Sequence, residues 1–175
     1  MSNFKDCPEW KIHNDYYTPK YAWEWINDLI PKDKIIWESC MLNSIHSKSP
    51  QYLRELGNQV VYDINFDMLV NQPDNFDMII TNPPFETDIK KKILMKLIEI
   101  DKPFILVMNG LNMFSKYIRS IFKDNMKYLQ VIHPSKKIQY DKYVDNDFVK
   151  TKNCSFYSVF VCYKMELSTE QLWLK

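Results

Sequence analysis

Residues 76 to 88 of the chain read FDMIITNPPFETD, and the residue types in it that could do chemistry are Asn82, Pro83, Pro84 and Phe85. An apolar run with the character of a buried strand ends in an amide side chain, two prolines and an aromatic ring. Proline has no N–H to give a sheet ladder, so the pair stops the strand. Proline also fixes its own φ, and Pro84 restricts Pro83 as well. The residues therefore allow two readings. Either the prolines only end a strand, or they form a rigid corner that holds the Asn82 amide and a backbone carbonyl in set places, with the Phe85 ring beside them.

The elements around this corner follow from periodicity. Residues 19 to 30 open with Pro19 and repeat apolar positions at helical spacing, which predicts a helix closed by Pro31. A short buried strand is expected at 34 to 37. A helix from 49 to 56 is expected to stop at Gly57, followed by a strand over 59 to 64. Residues 66 to 70 read as a turn or short helix, and 76 to 81 as a strand. Ile89, Ile93, Leu94, Leu97 and Ile98 mark an amphipathic helix over 88 to 100. Further strands are expected at 104 to 109, 128 to 133 and 155 to 164, with a helix at 114 to 124. Strands alternating with helices imply a parallel sheet covered on both faces, and the closing strand pair implies a β-hairpin at one edge. Such sheets bind ligands beyond the C-terminal ends of their strands, where the strand order reverses. The loops after 37, 63, 81 and 108 should share that crevice.

With these elements around it, the 82–85 turn resembles the signature of S-adenosylmethionine-dependent amino-methyltransferases, above all those acting on the N6 amine of adenine: Asn/Asp-Pro-Pro-aromatic after the fourth strand. The resemblance runs over about residues 15 to 164. It implies an α/β, Rossmann-like class I methyltransferase fold, mostly parallel with a C-terminal antiparallel hairpin. It also implies S-adenosyl-L-methionine as cofactor and a nucleic acid as acceptor, DNA ahead of RNA. The chemistry suits the corner. An exocyclic adenine amine is a poor nucleophile because its lone pair is delocalised into the ring. Two acceptors, the Asn82 side-chain oxygen and the Pro83 carbonyl, can take both amine hydrogens and favour the pyramidal form. Phe85 offers a face for a flipped base.

The resemblance assigns further residues. In DYYTP (15 to 19), Tyr17 and Thr18 would contact the methionine end of the cofactor; the same residues also read as a helix cap. Glu38 and Ser39 follow the first strand in the cofactor loop. Asp63 would serve the ribose hydroxyls and Asp67 the cofactor adenine, although both also suit a solvated turn. Tyr140, in KKIQY, would pack on the base opposite Phe85, or be a core or surface tyrosine. The pattern breaks in one place. The family follows its first strand with Glu-Pro-x-x-Gly-x-Gly, whereas Leu42 and Ser44 stand at the glycine positions here. Glycine serves where φ is positive or a ligand crowds the backbone, and leucine meets neither demand. Two functions remain open: an adenine-N6 methyltransferase, or a catalytically inactive relative kept as a binding or regulatory subunit.

Composition narrows the rest. The length, 175 residues, suits a single domain over 1 to 175 with a loose segment at 1 to 14 and no separate target-recognition domain, so a partner subunit supplying recognition is an option. Cys7, Cys40, Cys154 and Cys162 lack CxxC spacing and His13, His46 and His133 are scattered, which predicts no metal site and no disulfide framework, with Cys154 and Cys162 as reduced strand residues. A net charge of +1 excludes a strongly basic coat but not a local patch. Lys90-Lys91-Lys92 and Lys136-Lys137 are candidates for phosphate contact or simply wet faces. No run approaches a membrane span and MSNFKDCPEW lacks a secretory pattern, so an intracellular setting is expected. The polar stretch 141 to 153 reads as a mobile substrate loop.

Overall fold

The computed structural model describes residues 16–41, 46–145, 147–151 and 154–174. The expectations placed on Leu42 and Ser44, and on the segment 1 to 14, lie outside these residues.

Six strands of the expected kind form: β1 (Ile35–Trp37), β2 (Gln59–Val61), β3 (Met78–Thr81), β4 (Phe104–Asn109), β5 (Leu129–His133) and β8 (Ser158–Tyr163). Between β5 and β8 lie β6 (Asp141–Val144) and β7 (Asp147–Lys150), and β9 (Gln171–Trp173) follows. The main sheet has seven strands in the order β2-β1-β3-β4-β8-β5-β9. Strand β8 runs antiparallel between β4 and β5, and the other contacts are parallel. The expected antiparallel pair is thus β5 with β8, but the edge beside it is taken by β9. The segment expected as a loop at 141 to 153 holds instead the separate antiparallel hairpin β6–β7.

The central strands β3, β4 and β8 are buried on both faces, and their alternate residues feed alternate cores. Met78, Ile80, Ile105, Val107 and Phe160 pack with Ala22, Trp23 and Leu53 of helices α1 (Lys20–Glu24) and α2 (Ser49–Glu55). Ile79, Phe104, Leu106 and Met108 pack with Ile93, Leu94, Ile118 and Phe122 of α3 (Thr87–Ile100) and α4 (Lys116–Phe122). Gly57 ends α2 with φ +84°; a Cβ there would touch nothing within 4 Å, so the backbone angle and not space calls for glycine.

The helix expected over 19 to 30 is shorter. It ends at Glu24, and Asn27–Leu29 form a 3-10 turn. Asn27 leaves the helical pattern because its side chain is claimed elsewhere, donating to the Leu56 carbonyl at 3.3 Å and accepting from Lys32 at 2.7 Å and Asn58 at 3.0 Å. Among the described residues Cys40, Cys154 and Cys162 are free thiols; Cys162 lies in β8, but Cys154 precedes it. No helix among those residues is long and apolar enough to cross a membrane.

Candidate active site

The order reverses between β1 and β3. From β1 the chain passes outward to β2, then returns to lay β3 on the other side. Glu38 leaves β1 and Asn82 leaves β3, so the two sequence candidates stand on adjacent strand ends at the switch point.

The Asn82 amide is aimed by the backbone. Its Nδ2 donates to the Tyr16 carbonyl at 2.9 Å, whereas its Oδ1 is buried without a hydrogen-bond partner. One end of the amide is anchored and the acceptor end is left available. Pro83 is buried and Pro84 half-buried. The Thr18 Oγ1 is likewise buried and unpartnered. Tyr16 and NPPF, 66 residues apart at the Tyr16–Asn82 contact, therefore lie together.

Phe85 stands among aromatic rings: Tyr16 at 5.3 Å, Phe156 at 5.2 Å and Tyr140 at 6.0 Å. Tyr140 is not the opposite wall of a sandwich in this arrangement. It meets Phe85 at 89°, is fully buried, and shares a 2.6 Å hydrogen bond with Ser158. Burial pushes its phenol well above the ordinary value despite that bond. Lys90 also departs from expectation. It is buried and donates its Nζ to the Phe85 carbonyl at 3.2 Å, so it braces the corner and is not a phosphate contact; desolvation lowers its pKa. Lys91 pairs with Asp88 at 3.2 Å.

Glu38 joins the loop after β1 to the end of β3. It is 3% exposed, and its Oε1 accepts from the Thr81 hydroxyl and, at 3.3 Å, from the Cys40 N–H. The same N–H reaches Thr81 Oγ1 at 3.2 Å. Burial raises the Glu38 carboxyl to about 8, outweighing the two hydrogen bonds that oppose it. Cys40 is pushed up to about 12 by burial and then by Glu38. Its Sγ lies 3.6 Å from Met68 Sδ, which packs the loop after β2 against the loop after β1. Ser39 is buried beside them.

Asp63 and Asp67 are on that second loop, and their hydrogen bonds are local. Asp63 Oδ1 accepts from Asn65 N at 2.8 Å, and Asp67 Oδ1 from Leu69 N at 2.9 Å. Each shapes a turn with one carboxylate oxygen. Tyr17 bridges to the β6–β7 hairpin, its N–H donating to Asp141 O at 2.9 Å and its carbonyl accepting from Asp141 N at 3.0 Å. Phe148 of β7 meets the Tyr17 ring at 5.8 Å, and Tyr143 of β6 stacks on His46 at 3.6 Å. The hairpin thereby touches both Tyr17 and His46.

Tyr16, Thr81 and Phe156 belong to the site although sequence reasoning did not single them out. Thr81 had a signal, being the polar residue that closes an apolar strand. Tyr16 acts through its carbonyl, which no residue type advertises.

The mixed sheet, its switch point between β1 and β3 and its inserted antiparallel β8 are those of the Rossmann-like class I methyltransferase fold. A solved structure from Listeria monocytogenes, described as a candidate class I S-adenosylmethionine-dependent methyltransferase, superposes with a TM-score of 0.51 at 13% identity over 92% of this chain and 66% of its own. An S-adenosylmethionine-dependent O-methyltransferase from Thermotoga maritima gives 0.41 at 11% identity, covering 82% of this chain and 64% of its own. TehB from Haemophilus influenzae gives 0.44 at 11%, covering 81% and 60%. The chain thus spans somewhat under two thirds of these proteins, and the likeness speaks to fold. No protein-family model and no curated protein matches the sequence.

Proposed function

We propose that this chain is an adenine-N6 methyltransferase that transfers a methyl group from S-adenosyl-L-methionine to DNA. The observation that carries the reading is the Asn82 amide: anchored through Nδ2 on the Tyr16 carbonyl, it holds a buried, unused acceptor at the C-terminal end of β3. A free acceptor in a dry site is costly unless something donates to it, and an amine does.

The residues fit the cofactor in two respects. Thr18 supplies a second buried, unpartnered oxygen next to Tyr17, and Glu38 supplies a carboxyl that a neighbouring ammonium would ionise. Tyr17, Thr18, Glu38, Ser39, Asp63 and Asp67 would hold the cofactor, whose sulfonium supplies an electrophilic methyl carbon. Asp63 and Asp67 each keep one carboxylate oxygen outside the turn bonds described above. Asn82 Oδ1 and the Pro83 carbonyl accept the two amine hydrogens and localise the nitrogen lone pair. Both are held before the reaction begins, so little reorganisation is left to the transition state. Phe85 takes one face of the base.

Labelled-methyl transfer to DNA and to RNA tests this, with Asn82→Ala alongside. Transfer to DNA that depends on Asn82 is expected; transfer that survives the substitution would refute the amine-binding assignment.

The second reading, an inactive binding or regulatory subunit, has its own observation. Met41, on the loop leaving β1, is 2% exposed yet joins neither core cluster. A buried Met41 side chain standing in the cofactor's place would exclude the ligand. Calorimetric titration with S-adenosylmethionine or its demethylated product separates the two: a micromolar isotherm supports the enzyme, silence the subunit.

A further inference from the structure

The C-terminal rim of the sheet beyond the 82–85 corner carries exposed apolar side chains that the fold does not use. Phe114 is 86% exposed, Leu111 73% and Tyr157 72%. All three lie where β4 ends and β8 begins, since Asn109 pairs with Ser158. The rim is built, not loose. Asn109 caps the 3-10 turn at Gly110–Phe114 by accepting from Leu111 N at 3.0 Å. Gly110 N donates to the Tyr157 carbonyl at 2.8 Å, an approach so close that a Cβ would meet that oxygen at 3.3 Å.

The rim's own segments carry one sign of charge, while the exposed acids Glu86 and Asp88 stand at the start of α3 beside the corner, Asp88 paired with Lys91. Asn109 to Arg119, His133 to Tyr140 and Cys154 to Tyr163 contain no Asp or Glu, in a chain with 22 of them. Those segments contribute Lys116, Arg119, Lys136 and Lys137. Lys137 Nζ lies 4.7 Å over the Tyr157 ring, placing cation and ring together. Thr81 pairs with Leu106, so the rim starts three residues along the neighbouring strand from the level of the corner, about 10 Å away.

We propose that this rim, Leu111, Phe114 and Tyr157 with Lys116, Lys136 and Lys137, is a docking surface for single-stranded DNA, engaging the unpaired nucleotides beside the target adenine. Exposed rings with interleaved cations suit unpaired bases and their phosphates, because a duplex hides base faces inside its stack. The inference rests on the proposed methyltransferase reading for the adenine and for DNA over RNA, but not for the binding of a single strand itself.

The test is anisotropy of a short fluorescein-labelled single-stranded DNA, beside the same sequence as duplex DNA and as RNA. Wild-type protein is expected to prefer the single DNA strand. Phe114→Ala and Tyr157→Ala should each weaken it about fivefold or more, as loss of one stacked base does. Lys137→Gln should lower the slope of log affinity against log salt by about 0.7, one phosphate on a single strand. Calorimetric binding of S-adenosylmethionine should be the same in all variants. Aromatic variants that bind like wild type, a preference for duplex or for RNA, or a protein partner captured in place of DNA would each overturn the proposal. Aromatic-dependent DNA binding without methyl transfer would sink the catalytic reading alone and leave the surface standing.

Discussion

Replacing Glu38 by Gln tests the brace between the loop after β1 and the end of β3. The carboxyl titrates at 4.5 ordinarily and at about 8 in the folded chain, burial being the larger cause. A raised carboxyl stays neutral in the fold while the unfolded chain ionises, so stability is full below 4.5 and falls as pH rises towards 8. The slope is about 1.4 kcal/mol per pH unit, and the full window comes to about 5 kcal/mol. Both donors, Thr81 Oγ1 and Cys40 N, point at Oε1, leaving Oε2 for the proton. A glutamine keeps the accepting oxygen and has no charge to bury. Urea unfolding of both proteins from pH 5 to pH 7.5 is the assay, and every other titrating group cancels in the difference. Wild type should lose about 3 kcal/mol relative to Glu38→Gln across that span. Parallel curves would refute the reasoning, since they would mean that Glu38 is hydrated or ionised throughout.

If Asn82→Ala is made, methyl transfer should fall about 100-fold or more, the scale of losing one preorganised polar group, and labelled transfer measures it. The same variant should lose only about 1 kcal/mol of stability in urea, since its one hydrogen bond is to the Tyr16 carbonyl. Tyr140→Phe leaves buried Ser158 without its 2.6 Å partner and should cost about 1–3 kcal/mol, read as a lower thermal midpoint with the aromatic cluster intact. Binding of S-adenosylmethionine at pH 7 should release protons from Glu38, so its calorimetric heat should differ between phosphate and Tris buffers; identical heats would place the cofactor's ammonium away from that carboxyl.

Much of the sheet was legible because buried strands are short apolar runs and prolines punctuate them. MIIT and FILVMN are buried along nearly their whole length, and no other placement suits them. Hairpin β6–β7 was not legible, since DKYV and DFVK carry charge and read as loop; their pairing is stabilised by Tyr17, His46 and one another, not by a core. Strand β9 was hidden because it is only three residues long, with QLW alternating exposed and half-buried at the sheet edge. At the site, NPPF announced itself by composition. The orientation of Asn82 did not, because it depends on a main-chain carbonyl. Lys90 read as one of three lysines for phosphate contact or a wet face, but its place on α3 brings its Nζ to the Phe85 carbonyl. Tyr140 was found as a neighbour of Phe85 with the wrong angle, which spacing cannot specify.

The Tyr16–Tyr17 dipeptide is a lever with the hairpin on one arm and the amide on the other. Tyr17 is stitched to Asp141 through two backbone bonds, and the adjacent carbonyl steers Asn82. A shift of the β6–β7 hairpin at Asp141 therefore needs only one peptide unit to reach the Asn82 amide. The set of that amide is tied to a hairpin that stands apart from the main sheet.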